Sequence, residues 1–373
     1  MLNLKEKTQK AKNAKGITLV ALVITIIILL ILAGITISSL TNTGLFAKAK
    51  EARDKTQNAA ENQAKILNEY EDELNKYISG TTGENTEKLA DKVKVGDYVS
   101  YTPDTVSNTD TKYTTLISNL ATYSGSTENT TSKLTQEKDL KWRVLDVQNG
   151  QVRLISEVPT TSKITLASYN GYNNAVKLLD DTCNTLYNNS KLASKVQNLK
   201  IEDITKYMTT QPTLDTAPYS PTNKYYPEML LKEKGQTVNE TTGTKLDVSE
   251  QTEFINQTTK TQVSSWTLKK TFWSQSMNNT DSFKDSKYYK LFINNGSNYP
   301  TYWISSRCVD AGSSNANFLV HYVNSGNVAA YSLYYSNNNE NSINFAFRPV
   351  ITLNSNVRVT SGNGNQDSAF NIQ

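Results

Sequence analysis

Residues 142–157 read WRVLDVQNGQVRLISE, two apolar runs, WRVLDV (142–147) and QVRLISE (151–157), on either side of Asn149-Gly150. Both turn residues accept the positive φ of a type I′ turn, so this stretch predicts a β-hairpin. Beyond it, residues 171–189 (GYNNAVKLLDDTCNTLYNN) place Ala175, Leu178, Leu179, Cys183, Leu186 and Tyr187 at helical spacing, and a shorter helix is expected around Lys200–Ile204. Residues 209–262 are polar and aperiodic and hold four of the eight prolines, which reads as a long surface excursion. Strand-like runs follow at 266–273 (WTLKKTFW), 301–309 (TYWISSRCV), 316–323 (ANFLVHYV), 327–335 (NVAAYSLYY) and 343–353 (INFAFRPVITL).

Toward the N-terminus, strand signals begin at Lys92, where Val93, Val95, Tyr98, Val99 and Tyr101 flank Gly96-Asp97. A Thr/Ser/Asn-rich insertion from about 103 to 137 reads as loop. The order of strands, helices, long loops and strands predicts an α+β domain over 92–355, with a mainly antiparallel sheet, one or two helices and long polar loops. Residues 356–373 read as a polar tail. Trp142 and Trp303 fit a strand's core face. Tyr334, Tyr335, Asn337, Asn338 and Asn339 are candidate ligand-loop residues, because aromatic rings in an Asn-rich loop can stack on a glycan or peptide. Arg348 precedes Pro349, which holds it extended, and it is expected to be paired structurally.

Charge and rare residues limit the chemistry. Residues 1–16 carry five Lys (5, 7, 10, 12, 15) and one Glu; removing them from the chain's 39 basic and 35 acidic residues leaves 34 of each. A protein with no basic excess lacks the phosphate-neutralising stripe of a nucleic-acid binder. With one His and two Cys, a zinc site would have to unite His321, Cys183 and Cys308, and a Ser-His-Asp or Cys-His triad would have to use His321. No GxSxG or HExxH surrounds these residues. Neither an enzyme nor a metal or other cofactor is expected.

Ile17–Ile37 (ITLVALVITIIILLILAGITI) is 21 residues without a charge. As a helix it would span about 32 Å, the thickness of a bilayer's hydrocarbon core. The Lys cluster before it, against none after it until Lys48, predicts a cytoplasmic N-terminus and a single-pass topology with the remainder outside. Beyond Ser38–Gly44, the residues Leu45, Ala49, Ala52, Thr56, Ala59, Gln63, Ile66, Tyr70, Leu74 and Tyr77 recur every three or four, predicting an amphipathic stalk helix over 38–78; residues 79–91 read as linker.

A secretory signal peptide carries its small-residue cleavage site after the apolar run. Here Lys15-Gly16-Ile17 stands before it. This order resembles the leader of type IV prepilins and type II secretion pseudopilins. The resemblance implies cleavage after Gly16 by a prepilin peptidase, N-methylation of Ile17, retention of 17–37 as membrane anchor and filament-core helix, and other pilin-like subunits as partners through it. One residue departs from the pattern: pilins place Glu at the fifth mature position, where this chain has Ala21. The GITLVALVIT string with Ala there is similar to pilin-like proteins of Gram-positive anaerobes. The alternative is a monomeric, membrane-anchored adhesin-like module that does not polymerise.

The 142–156 hairpin, the 171–189 helix, IEDI (201–204), YWISSRCV and FRPVITL together resemble an uncharacterised extracytoplasmic domain of clostridial surface proteins; the C-terminal part is distantly similar to C-type lectin-like and formylglycine-enzyme-like folds. The lectin motifs EPN and QPD are absent. Outside the membrane, Cys183 and Cys308 can form a disulfide worth about 4–5 kcal/mol on the chain-entropy view. The alternative is two buried thiols acting as small hydrophobes.

Overall fold

The computed structural model describes residues 87–210, 280–294, 299–311, 316–324, 326–335 and 339–373, with Gln251, Phe254 and five two-residue strands between 218 and 276. The chain divides into two units at residues 81 and 82, and all described residues belong to the second. The leader (1–16), the apolar run (17–37), the stalk (38–78) and linker residues 79–86 lie outside them.

In chain order the elements are α1 (Leu89–Lys92), β1 (Tyr98–Ser100), α2 (Thr111–Tyr123), β2 (Trp142–Gln148), β3 (Gln151–Ser156), β4 (Lys163–Ala167), α3 (Ser168–Tyr187), β5 (Ala193–Asn198), α4 (Ile201–Thr205), β6 (Gln275–Ser276), α5 (Ser286–Phe292), β7 (Tyr302–Ala311), β8 (Ala316–Asn324), β9 (Asn327–Tyr335), β10 (Ser342–Ala346), β11 (Pro349–Leu353), β12 (Val359–Ser361) and β13 (Phe370–Ile372). Strands β12-β13-β1-β2-β3-β11-β5 form a seven-stranded sheet, and β6-β9-β8-β7-β10-β4 a six-stranded one. Pairing is antiparallel except at β1–β13 and β7–β10. Within the excursion, Pro218–Tyr219 pairs with Leu268–Lys269, and Tyr225–Tyr226 with Thr261–Gln262.

The hairpin forms as its turn chemistry dictates: Asn149 (φ 51°) and Gly150 (φ 77°) are both left-handed, and the ladder runs from Gln148↔Gln151 to Trp142↔Ser156. A register shift lies between Val144 and Asp146. Val144 and Leu154 enter one hydrophobic core, with residues of α2, α3 and both sheets; Leu145 and Ile155 enter a second, with α4, α5 and both sheets. The hairpin is therefore buried on both faces, which is why its apolar residues are nearly continuous.

Several expectations are corrected. The α+β fold on a long N-terminal transmembrane and stalk helix is not what is seen: the described chain is mainly sheet with few helices, and no helix among the described residues is long and apolar enough to cross a membrane. Apolar and aromatic residues recur through the strands from 142 and again from 302, and both sheets find cores to fill. The expected loop at 103–137 contains α2, whose Tyr113, Leu116 and Leu120 are buried. The single strand expected at 343–353 is two: β10 pairs with β4 in one sheet and β11 lies between β3 and β5 in the other. Pro349, with no N–H to donate, opens β11, so Phe347-Arg348 is the step between sheets. The polar tail is no tail, because it builds β12 and β13.

The outer edge of β4 is closed by a side chain. The Asn129 carboxamide donates to the Thr165 carbonyl at 2.9 Å and accepts from the Thr165 N–H at 2.8 Å. It thus supplies one rung of a missing strand, and the Ala167 N–H is taken by Ser124 O at 2.8 Å.

Candidate functional site

Among the described residues, buried polar clusters centre on Arg153, Arg348 and Arg307. The first joins β2, β3 and α4. Arg153 lies between Val152 and Leu154 in β3, so its side chain is carried inside. Its Nε and Nη2 donate to the two oxygens of Asp146, each at 2.7 Å, and Nη1 to Asp203 at 2.6 Å. Asp146 also accepts from Gln148 at 2.9 Å and from the Tyr207 hydroxyl, with Lys206 Nζ 3.4 Å away. Burial pushes the Asp146 carboxyl up, but the hydrogen bonds and charge of Arg153 outweigh it and hold the group down to about 2. Burial and the Asp146 contact push the Tyr207 hydroxyl up, and its ring stacks on Tyr288 at 3.7 Å.

The second cluster rivets the two sheets where the chain crosses between them. Arg348 is fully buried, and its guanidinium donates to the carbonyls of Ser156 (3.0 Å), Glu157 (2.9 Å) and Phe292 (3.4 Å). Its charge lies 4.7 Å from the Tyr299 ring centroid and 5.4 Å from that of Tyr302. Burial raises the Tyr302 hydroxyl to about 12 against the opposing pull of Arg348. Asn198, at the end of β5, accepts the Arg348 N–H at 2.7 Å and donates to Trp303 O at 3.0 Å, joining β5 to β7. The expected structural pairing of Arg348 is thus with carbonyls and rings.

The third cluster lies where α3 crosses β7. Arg307 Nη1 donates to the Asn173 carbonyl, and the guanidinium is 5.9 Å from the Tyr172 ring centroid. Burial pushes the Tyr172 hydroxyl well up, with Arg307 opposing. His321, in β8, is buried, and its Nδ1 donates to the Ser306 carbonyl at 3.1 Å. The imidazole therefore fastens β8 to the bulged part of β7.

The candidates singled out in the sequence do not converge. Lys15, Gly16, Ile17 and Ala21 lie outside the described residues. Cys183 and Cys308 are two separate buried thiols, so the expected disulfide is not formed. The register shows why. Cys183 Sγ lies 3.9 Å from Asn198 Oδ1, and Asn198 holds Trp303, whereas Cys308 stands five residues further along β7 beside Tyr172, the residue eleven before Cys183 on α3. Eleven helical residues are about 16 Å, far beyond the roughly 7 Å between Cα atoms that a disulfide tolerates.

The ligand loop also comes apart. Tyr334 is fully buried, 5.1 Å from the Tyr169 ring and 5.8 Å from Phe318, and belongs to the core. Tyr335 is half-buried, and its N–H donates to the carbonyl of exposed Asn339 at 2.9 Å. Asn337 and Asn338 lie outside the described residues. Trp142 and Trp303 are buried as expected. No group of three His, Cys, Asp or Glu among the described residues could hold a metal ion.

Arg153 and Asn198 were missed. A cation between Val152 and Leu154 could have signalled a buried ion pair; nothing local marks Asn198. The chain matches no protein-family model, and neither a curated protein nor a solved structure shows significant similarity to it.

Proposed function

We propose that the chain is a pilin-like or pseudopilin-like structural subunit, cut after Gly16 by a prepilin peptidase and displaying its two-sheet domain outside the cell membrane. The observation that carries this reading is Lys15-Gly16-Ile17 placed ahead of a 21-residue uncharged run, with five Lys on the leader side. The domain suits display: the buried Arg153 ion pairs join the hairpin to α4 internally, and its described residues build two apolar cores. Partners on this reading are the peptidase, the membrane and other pilin-like subunits.

Ala21 favours a second reading. Without a carboxylate at that position, the ammonium created on Ile17 has no acid beside it in an apolar setting, which disfavours a long homopolymer. The alternative is an anchored monomer that binds an external ligand. Mass spectrometry of the mature N-terminus tests the first step: N-methylated Ile17 is expected, and an intact Met1 rejects processing. Sedimentable filaments in shear fractions then separate the polymer from the monomer.

A further inference from the structure

We infer that residues 87–92 and strands β12 and β13 form a clasp that opens as one unit ahead of the core. The incoming chain is bonded to residues almost at the other end of the domain: Leu89 N–H donates to Val357 O and Val359 N–H to Glu87 O, both at 2.9 Å. Arg358 and Gln373 exchange both of their backbone hydrogen bonds at 3.1 Å, and Val359 pairs with Ile372. β13 in turn reaches the core through β1, by Val99↔Phe370 and Ser100↔Asn371. Just ahead of β1 the chain is hydrogen-bonded to the hairpin, where Gly96 N–H donates to Val144 O and Val144 N–H to Asp97 O, both at 2.8 Å.

These backbone hydrogen bonds run in series, from 87–89 to β12, then β13, then β1, then β2, while α1 also lies close to β3. β12 has no other sheet neighbour through which to reach the core. β12 and β13 are three residues each, against the six register pairs of β2–β3. Short ladders at the end of a sheet open at lower free energy than its centre. Leu89, Val357, Val359 and Phe370 are all buried and belong to the core that Val144 and Leu154 enter, so the unit is held by apolar packing as well as by its rungs. Its opening frees residues 87–92 while 96–99 stay on β2. The clasp rests on the domain's geometry alone. Where the chain is also anchored ahead of residue 87, as proposed above, a pull on the anchor meets the clasp first.

Hydrogen exchange followed by mass spectrometry on the full chain, wild type and Phe370→Ala, tests this. Removing a buried ring next to the β1–β13 rungs is expected to speed exchange about a hundredfold or more throughout 357–373. The same factor is expected at 88–92, some 280 residues away in sequence, with 142–156 unchanged. Phe370→Leu is expected to restore most of the protection. The clasp is overturned if 88–92 keeps its wild-type rates while 357–373 accelerates, or if neither region changes. It is equally overturned if 142–156 accelerates with them, which would make these strands part of one global transition. The state of the mature N-terminus has no bearing on any of these outcomes.

Discussion

Acid should dismantle the domain partly through one carboxylate. Asp146 is held near 2 in the folded protein, against an ordinary value of 3.8, by its two hydrogen bonds from Arg153. A depressed carboxyl contributes stability above its unfolded pKa and loses it as pH falls toward the folded one. At 1.36 kcal/mol per unit, the difference is about 2 kcal/mol, complete above about pH 5 and mostly gone by pH 2. Asp146→Asn removes this dependence. It also leaves Arg153 with Asp203 as its remaining carboxylate, at a cost of about 3–5 kcal/mol at neutral pH. Urea unfolding read by the buried Trp142 and Trp303 between pH 6 and pH 2 gives both numbers. Wild type should lose about 2 kcal/mol more than the variant across that range. Parallel stability curves for the two proteins would show that Arg153 does not hold Asp146 ionised.

Two glycines should separate backbone strain from crowding by thermal melting. Gly150→Ala meets no atom within 4 Å but sits at φ +77°, and should cost about 1 kcal/mol; Gly171→Ala would bring Cβ within 2.5 Å of Ser124 O and should cost more. Equal losses would contradict the close approach of α3 to the chain after α2. Asn198→Ala strands the Arg348 N–H and the Trp303 carbonyl and should cost about 2–4 kcal/mol in urea unfolding; a loss under 1 kcal/mol would remove it as an inter-sheet rivet. Burial pushes the Cys183 thiol well up, so it should resist alkylation in the native protein. Unfolded without reductant, the chain should take up two alkyl groups, and uptake of none would establish the disulfide instead.

What the sequence made legible was local. Asn149-Gly150 marks the hairpin because a positive φ at both positions is a property of those two residues. Residues 175–187 mark α3 because an apolar stripe is visible in one dimension. α2 was hidden by its Thr and Ser content, which weakens helix propensity and leaves packing of Tyr113, Leu116 and Leu120 to decide. β12 and β13 were hidden for a related reason: Val359 and Phe370 are their main apolar anchors among Asn, Ser, Thr and Gly, and their pairing partners lie far away in sequence. The split of 343–353 was signalled by Pro349 alone. At the polar clusters, Arg153 advertised itself by its neighbours but its partner Asp203 did not. The disulfide and the Tyr334 loop failed because spacing along a chain says nothing of distance between a helix and a strand, or of which face a bulged strand presents.

The side chain of Asn129 has a consequence for crowding. An unpaired strand border invites another molecule to dock its own backbone there, and the hazard grows when many copies share a small area. At β4 that invitation is withdrawn: a newcomer would have to evict a carboxamide already making both bonds of the Thr165 rung. Domains packed shoulder to shoulder can therefore touch along this flank without zipping into a continuous sheet.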